Sequence, residues 1–434
     1  MKLYSIFTQH PNVCTDSRVC LTGSLFFALK GANFNANEFA LSALEKGCAY
    51  AIVDEAEYAI DERFILVDNV LESLQQLAKY HRKQLGTKII GITGTNGKTT
   101  TKELLASVLS EKYNVLYTLG NLNNHIGVPL TLLRLKPEHD IAVIEMGANH
   151  PGDIAELAEI AQPDFGLITN VGKAHLEGFG SFDGVKQTKS ELYKYILDKG
   201  KLIFINKANL ELLDMANKSG LIYPDKMYSY SMEFNDMETM MAARVSSCSP
   251  FLEMECQSKN DESFEIKTKL IGSYNAENVL AAVTIGKYFG LDEIKIINGL
   301  ENYLPQNNRS QLTITDKNHL IVDAYNANPT SMSAAILNFS HLNTNRKSLI
   351  LGDMLELGVQ SEMEHQTIIS LINDNQFETV ILVGEMFSKT KNAYLNFKTV
   401  IDAILYLKDH RIENNYVLIK GSRGIKLEKI IEVL

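Results

Sequence analysis

Lys88-Ile89-Ile90-Gly91-Ile92-Thr93-Gly94-Thr95-Asn96-Gly97-Lys98-Thr99-Thr100 decides how the centre of this chain folds. Lys88 to Ile92 is a short, apolar, β-branched run, which predicts a buried strand. Thr99 to Leu109 then sets Leu104, Leu105, Val108 and Leu109 at helical spacing. A glycine loop between a strand and a helix aims backbone N–H groups and the positive helix end at an anion. Lys98 is placed to reach the outer phosphates, and Thr99 to offer a hydroxyl to magnesium. The common form of this loop, G-x-x-x-x-G-K-[ST], has its first glycine where this chain has Ile92. The pattern implies a bound nucleoside triphosphate.

Outward from the loop, strand-like runs alternate with helical ones, the rhythm of a wound α/β sheet. Asn114 to Thr118, Ile141 to Glu145, Phe165 to Thr169 and Lys201 to Ile205 read as strands; Pro151 to Ile160, Gly184 to Leu197 and Ala276 to Phe289 read as helices. Residues 226–270 are polar and alternating, which predicts an antiparallel addition. On the N-terminal side a helix from Leu71 to Leu85 is broken by Gly86 and Thr87. On the other side the polar run Leu304-Pro305-Gln306-Asn307-Asn308 reads as a linker and hinge. Beyond it Leu320 to Asp323, Ser348 to Leu351, Val380 to Val383 and Val417 to Ile419 repeat a strand–helix pattern, Rossmann-like but without the dinucleotide glycine fingerprint. The expected fold class is α/β in three domains. They are a small N-terminal α/β domain (1–85), a central P-loop domain with a parallel sheet (86–305) and a C-terminal Rossmann-like domain (306–434).

With 434 residues, 45% hydrophobic and 22% charged, the chain has ample material for buried cores. A net charge of -10 with no basic stripe argues against a nucleic-acid partner. The five cysteines, Cys14, Cys20, Cys48, Cys248 and Cys256, show neither metal spacing nor a disulfide rhythm, so free thiols are expected. Nothing near the N-terminus resembles a signal peptide, and no apolar run approaches the ~20 residues of a membrane span. A cytoplasmic location follows as the expectation.

The variant loop T-G-T-N-G-K-T-[ST] resembles that of the Mur ligases and the related folylpolyglutamate synthases, which form amides at the expense of ATP. Further blocks resemble the Mur branch that adds D-alanyl-D-alanine. They are Asn121 to Pro129, Glu145 to His150, Ala174 to Gly180, Asp323 to Met332 and Gly352 to Gly358. The resemblance implies an acid–D-amino-acid ligase of peptidoglycan precursor synthesis, acting on UDP-N-acetylmuramoyl-tripeptide and D-Ala-D-Ala and expected as a monomer. It also implies ATP as co-substrate, Mg2+ at two sites and a lysine carbamylated by carbon dioxide.

Each candidate residue also has a plain structural reading. Glu145, ending an apolar strand, is either a solvated charge or, with Thr99, a magnesium ligand. A lone His175 is more often structural; the resemblance puts it on the second metal. Lys189 reads as a solvated helix charge until the resemblance makes it the carbamylated lysine, with Lys186 as competitor. Asn275 and Asn278 are either helix caps or neighbours of the adenine. Gly94, Thr95, Asn96, Gly97, Lys98, Thr99 and Thr100 hold the phosphates; Arg309 reaches the γ-phosphate or is a linker arginine, and Asp323 is expected at the ribose. In the first region Thr15, Ser17, Arg18, Lys30, Gly31, Asn35 and Asn37 resemble the UDP-binding set. Asn123, Asn124, Asn149, His150, Tyr325, Asn326 and Asn328 are expected around the peptide and D-Ala-D-Ala. Lys420-Gly421-Ser422-Arg423 offers amides, a hydroxyl and cations to a carboxylate.

Three other readings compete with this one. A branch adding one diamino acid carries an Asp-Asn-Pro-Arg motif, which is missing here. A folylpolyglutamate synthase lacks the uridine domain and Asn326-Ala327-Asn328-Pro329. A nucleotide switch would bind ATP without acceptor-dependent phosphate release.

Overall fold

In the computed structural model, residues 2–434 are described apart from 222, 223, 235, 237, 260, 261, 306–308 and 345. The hinge expected at Gln306, Asn307 and Asn308 therefore lies outside the described residues. The protein is a mixed α/β chain in two compact units. One comprises Met1–Ile92, Tyr113–Ala148 and Gly152–Gly166; the other comprises Thr93–Lys112, Asn149–Pro151 and Leu167–Leu434.

In the first unit, Val13–Cys14, Leu25–Phe27, Tyr50–Val53 and Phe64–Leu66 form a parallel sheet in that order. Helix Val70–Leu85 starts where Asn69 accepts from the Glu72 amide and stops at Gly86, which is left-handed at φ 66°. It buries Leu74, Leu77 and Ala78, and its Arg82 reaches the Ala161 carbonyl at 3.1 Å and the Asp164 carboxylate at 2.9 Å. Strands Lys88–Thr93, Ile141–Glu145 and Val115–Tyr117 pair in parallel, with Ile92 opposite Glu145.

Cys14 and Cys20 are not free thiols, contrary to the sequence expectation: they form a disulfide with Cα atoms 5.6 Å apart. The segment between them folds back on itself, the Val19 amide donating to the Asp16 carbonyl at 3.2 Å. That turn brings together two cysteines whose spacing alone reveals nothing.

In the second unit, strands Leu202–Asn206, Met227–Ser231 and Met241–Cys248 pair in parallel, and Phe251–Ser258 and Ser263–Ile271 continue antiparallel. The expected antiparallel addition is thus correct from 241 onward but not for its first strand. A six-stranded sheet follows in the order Gln311–Ile314, His319–Asp323, Tyr416–Lys420, Lys347–Gly352, Thr379–Val383, Leu395–Phe397, parallel but for the first strand. Its apolar runs face two cores by alternation. Ile321, Leu349, Leu351 and Leu418 join helices Pro329–Ser340 and Ser361–Asn373; Leu320, Val322, Ile350 and Ile419 join helix Val400–Asp409. Burial on both faces is why these strands read as unbroken hydrophobic runs. No helix of the described residues is long and apolar enough to cross a membrane.

Candidate functional site

The glycines of the loop are fixed by what lies behind them. Gly94 has φ +144°, and a Cβ there would stand 2.0 Å from the Thr169 Oγ1. Gly97 has φ +79°, and its Cβ would stand 2.3 Å from the Asn278 Oδ1. The end of strand Phe165–Ile168 clamps the loop from one side. The Thr95 amide donates to the Asn170 carbonyl and the Asn96 amide to the Asn170 Oδ1, both at 2.9 Å, and the Thr169 hydroxyl donates to the Asn96 carbonyl at 2.6 Å. Sequence reasoning missed Thr169 and Asn170; their only signal is their place at the carboxyl end of a strand.

Helix Lys98–Ser110 begins directly at Gly97, with Thr99 buried in its first turn and Thr100 half-buried. Lys98 folds back, its ammonium donating to the carbonyls of Gly94 at 2.5 Å and Thr95 at 2.9 Å. Asn275 and Asn278 brace the loop from below. Asn275 occupies an N-cap position without making a side-chain cap; its amide donates instead to the Ile271 carbonyl at 2.8 Å. Asn278 donates to the Asn275 Oδ1 at 3.0 Å and accepts from the Thr101 hydroxyl at 3.1 Å.

The C-terminal segments reach the same loop. The Asn328 amide donates to the Asn96 Oδ1 at 2.7 Å. The same Asn328 caps helix Pro329–Ser340 in a capping box with Ser331, which fixes its side chain. Two guanidinium groups lie over the Tyr325 ring, Arg309 at 3.9 Å and Arg423 at 5.4 Å from its centre. Buried Lys420 donates to the Asp323 carboxylate at 2.5 Å and to the Asn326 carbonyl at 3.2 Å. Read from sequence as a carboxylate binder, Lys420 has its carboxylate within the protein. The Asn326 Oδ1 accepts from the neighbouring Ala327 amide at 2.9 Å.

Two metal candidates converge on Phe179. The His175 ring lies edge-on to it at 6.3 Å, and the ammonium of Lys189, a residue only 2% exposed, lies 5.5 Å from the ring centre. His175 is held left-handed at φ 50°, and its Nδ1 meets the Glu356 carboxylate, whose pKa it lowers. Lys186 pairs with Asp183 at 3.1 Å and Glu211 at 3.0 Å, and these carboxylates raise its pKa. A carbamate forms only on a neutral amine, so this pairing counts against Lys186 as a carbamate site. Lys173 pairs with Glu364 at 2.9 Å. Sequence reasoning missed Glu356 and Glu364 as partners of this stretch.

Buried Glu145 accepts from the Asn123 amide at 2.8 Å, while its own N–H donates to the Thr118 hydroxyl at 3.0 Å. A carboxylate is a hard oxygen donor of the kind magnesium takes. Asn124 is occupied locally, its Oδ1 accepting from the Gly127 amide at 2.9 Å. Asn149 and His150 are exposed, and a Cβ at Gly178 would stand 2.1 Å from the Asn149 carbonyl oxygen, so that stretch packs closely on the turn at 178.

Of the first unit's candidates, Lys30, Asn35 and Asn37 come together around two carboxylates that sequence reasoning missed. The Lys30 ammonium pairs with Asp54 at 2.9 Å and Glu55 at 2.7 Å; Asn37 donates to Asp54 at 2.8 Å and Asn35 to Glu55 at 3.0 Å. Gly31 lies under the Phe34 ring, 2.2 Å from where its Cβ would be. Thr15, Ser17 and Arg18 lie on the disulfide-closed turn, where exposed Arg18 pairs with Asp16 at 2.6 Å and holds its carboxyl down at about 2.

Comparison with known proteins accounts for both units. The Mur ligase middle domain matches residues 92–286, and the Mur ligase glutamate ligase domain matches residues 308–423. The UDP-N-acetylmuramoyl-tripeptide–D-alanyl-D-alanine ligase of Bacillus subtilis (strain 168) is 35% identical over 444 residues, covering 97% of this chain and 92% of its own. A crystal structure of MurF from Acinetobacter baumannii superposes with a TM-score of 0.84 at 32% identity, over 97% of this chain and 92% of that one. MurF from Thermotoga maritima in complex with ADP superposes with a TM-score of 0.84 at 25% identity, over 97% and 96%.

Proposed function

This chain belongs to the Mur ligase family, and from that premise we propose that it joins D-alanyl-D-alanine to UDP-N-acetylmuramoyl-tripeptide with ATP, in the MurF manner. The observation that carries the reading is the bond from Asn328 to Asn96. It ties the segment assigned to the acceptor to the loop assigned to the phosphates. Three domains with borders at 85/86 and 305/306, a cytoplasmic location and a monomer complete the proposal.

The terminal carboxylate of the tripeptide attacks the γ-phosphorus of ATP. An acyl phosphate forms and ADP leaves. The amine of D-Ala-D-Ala then attacks the acyl carbon, and the tetrahedral intermediate expels phosphate. Lys98, released from its carbonyl contacts, neutralises charge on the transferring group. Thr169 and Asn170 hold the loop's backbone in the shape that cradles the phosphates, so the loop need not reorganise. Arg309, stacked on Tyr325, is the cation proposed for the γ-phosphate. Thr99 and Glu145 would hold one magnesium ion, and His175 with carbamylated Lys189 a second; Mg2+ supplies Lewis-acid polarisation of phosphoryl oxygens. Asp323 and the pair Asn275 and Asn278 are proposed for the nucleoside. Thr15, Ser17, Arg18, Lys30, Gly31, Asn35 and Asn37 are proposed for UDP, and Asn123, Asn124, Asn149, His150, Tyr325 and Asn326 for the peptide and dipeptide.

The acceptor decides the branch. A dipeptide brings an amine, an amide and a carboxylate, and a polar pocket pairing all three rejects a lone amino acid by leaving groups unsatisfied. Phosphate release from ATP and UDP-tripeptide is expected with D-Ala-D-Ala. Faster release with D-Ala, L-lysine, meso-diaminopimelate or L-glutamate would move the chain to another branch.

A further inference from the structure

The sulfurs of Cys14, Cys20 and Cys48 all lie within 4.8 Å of one another. Two of them are bonded, and the third is a free thiol buried against the same small core as its neighbours. We propose that this trio is a reversible thiol–disulfide site that sets the conformation of segment 15–19, with Cys48 as its internal nucleophile. The consequence for substrate rests on the reading above that Thr15, Ser17 and Arg18 meet UDP; the switch itself does not.

The anchoring is unequal at the two ends. Cys14 belongs to strand Val13–Cys14, opposite Phe26, and is fixed by the sheet. Cys20 lies on a turn flanked by Val19 and Leu21, 71% and 65% exposed. Apart from the disulfide and the turn's own bond from the Val19 amide to the Asp16 carbonyl, the turn is held by surface contacts: Arg18 to Asp16, and the Lys46 ammonium to the Ser17 carbonyl at 3.3 Å. Exposed pairs of this kind hold a backbone weakly. Opening the S–S bond therefore frees the segment carrying the three UDP candidates, and closing it restores one geometry.

The chemistry balances with a low-molecular-weight disulfide of the glutathione class as oxidant. The Cys14 thiolate attacks that disulfide and expels one small thiolate. The Cys20 thiolate then attacks the Cys14 sulfur and expels the second, so two electrons pass from the protein to the reagent. Cys48 exchanges without net oxidation: its thiolate attacks one sulfur of the pair, and the other leaves as thiolate. Burial pushes the Cys48 thiol up, so its thiolate is scarce and its exchange is slower than that of an exposed thiol.

The whole chain is equilibrated with reduced or oxidised glutathione, and its cysteines are mapped by differential alkylation and mass spectrometry. In the oxidised sample a Cys14–Cys20 link is expected, and trypsin should cut after Arg18 at least tenfold more slowly than in the reduced one. The Kd for UDP should differ at least fivefold between the two. In Cys20→Ser, oxidised glutathione should give a Cys14–Cys48 disulfide and not a lasting glutathione adduct on Cys14. Cleavage rates within twofold of each other would overturn the switch. A stable Cys14 adduct in Cys20→Ser would overturn the role of Cys48. So would stoichiometric zinc in the reduced protein that is lost in Cys48→Ser, because the trio would then be a metal site. Unequal cleavage with no UDP binding in either state supports the switch and refutes the UDP assignment.

Discussion

Gly97→Ala tests the phosphate loop against its support. At φ +79° an alanine is held left-handed, which costs about 1–2 kcal/mol. Its Cβ would also stand 2.3 Å from the Asn278 Oδ1, so that amide must swing away. Swinging breaks the bonds from the Thr101 hydroxyl and to Asn275, both buried, at about 1 kcal/mol each. The loop escapes this strain by leaving the conformation that cradles phosphate, so the cost falls on nucleotide binding. Together the terms come to about 3–4 kcal/mol, roughly a 150- to 900-fold loss of ATP affinity. Asn278→Ala removes the obstacle but loses the same two bonds, at about 2 kcal/mol. The double variant counts those bonds once, so it should cost about 2 kcal/mol less than the sum of the singles. Calorimetric titration with ATP measures all four proteins. Single effects that add to within about 0.5 kcal/mol, or wild-type affinity in Gly97→Ala, would refute the reasoning.

Lys98→Ala should keep the fold and abolish ligation; near-normal turnover would sink the phosphate-loop assignment. Lys189→Ala is expected to be nearly inactive and partly rescued by short carboxylates that replace the lost anion. A plain amine at 189 by mass spectrometry under carbon dioxide, in fully active enzyme, would end the carbamate proposal. Stability should fall in mild acid through buried His81, whose Nε2 meets the Leu135 carbonyl at 2.9 Å and whose pKa burial lowers from the ordinary 6.5. The unfolded chain takes the proton first, so this contribution is present above 6.5 and is lost as pH falls through the lowered folded value. His81→Gln should flatten part of that slope in urea titrations between pH 7 and 5; the remainder belongs to groups such as buried His365, shifted the same way. An unchanged slope would remove His81 from the account.

The loop was legible because its residues do a local job. Strand, glycines and helix are contiguous, and the positive φ at Gly94 and Gly97 is a local property of the turn. The groups that fix the loop were not legible. Asn170 and Asn328 are distant in sequence, and an isolated asparagine carries no periodicity. Likewise Glu356 reads as one more surface carboxylate until the chain brings it to His175. The strands of the six-stranded sheet are legible because both faces are buried, whereas alternation says nothing about direction, so a polar alternating run that reads as antiparallel pairs in parallel at Met227–Ser231. The disulfide failed for a similar reason: its pairing depends on a turn made by Asp16 and Val19, not on spacing.

A ligase of the proposed kind has to keep its acyl phosphate from water until the amine arrives, and the loop is built in a way that answers this. Asn96 accepts on its carbonyl from Thr169 and Asn170 and on its side chain from Asn328, while its own N–H is held by the Asn170 side chain. One residue of the phosphate cradle is thereby read from two directions, by the strand beneath it and by the cap of a helix in the acceptor segment. The Asn328 side chain is not free to make this bond in any pose, because its Oδ1 is committed to the Ser331 amide at 2.9 Å. A shift of helix Pro329–Ser340 therefore moves the group that touches the loop, and a change in the loop presses back on the helix start. Such reciprocity is what linkage requires if nucleotide and acceptor are to favour each other's binding. The coupling needs no larger rearrangement than a rotation of one amide. On the proposed assignments, the two ends of this contact belong to the two halves of the reaction.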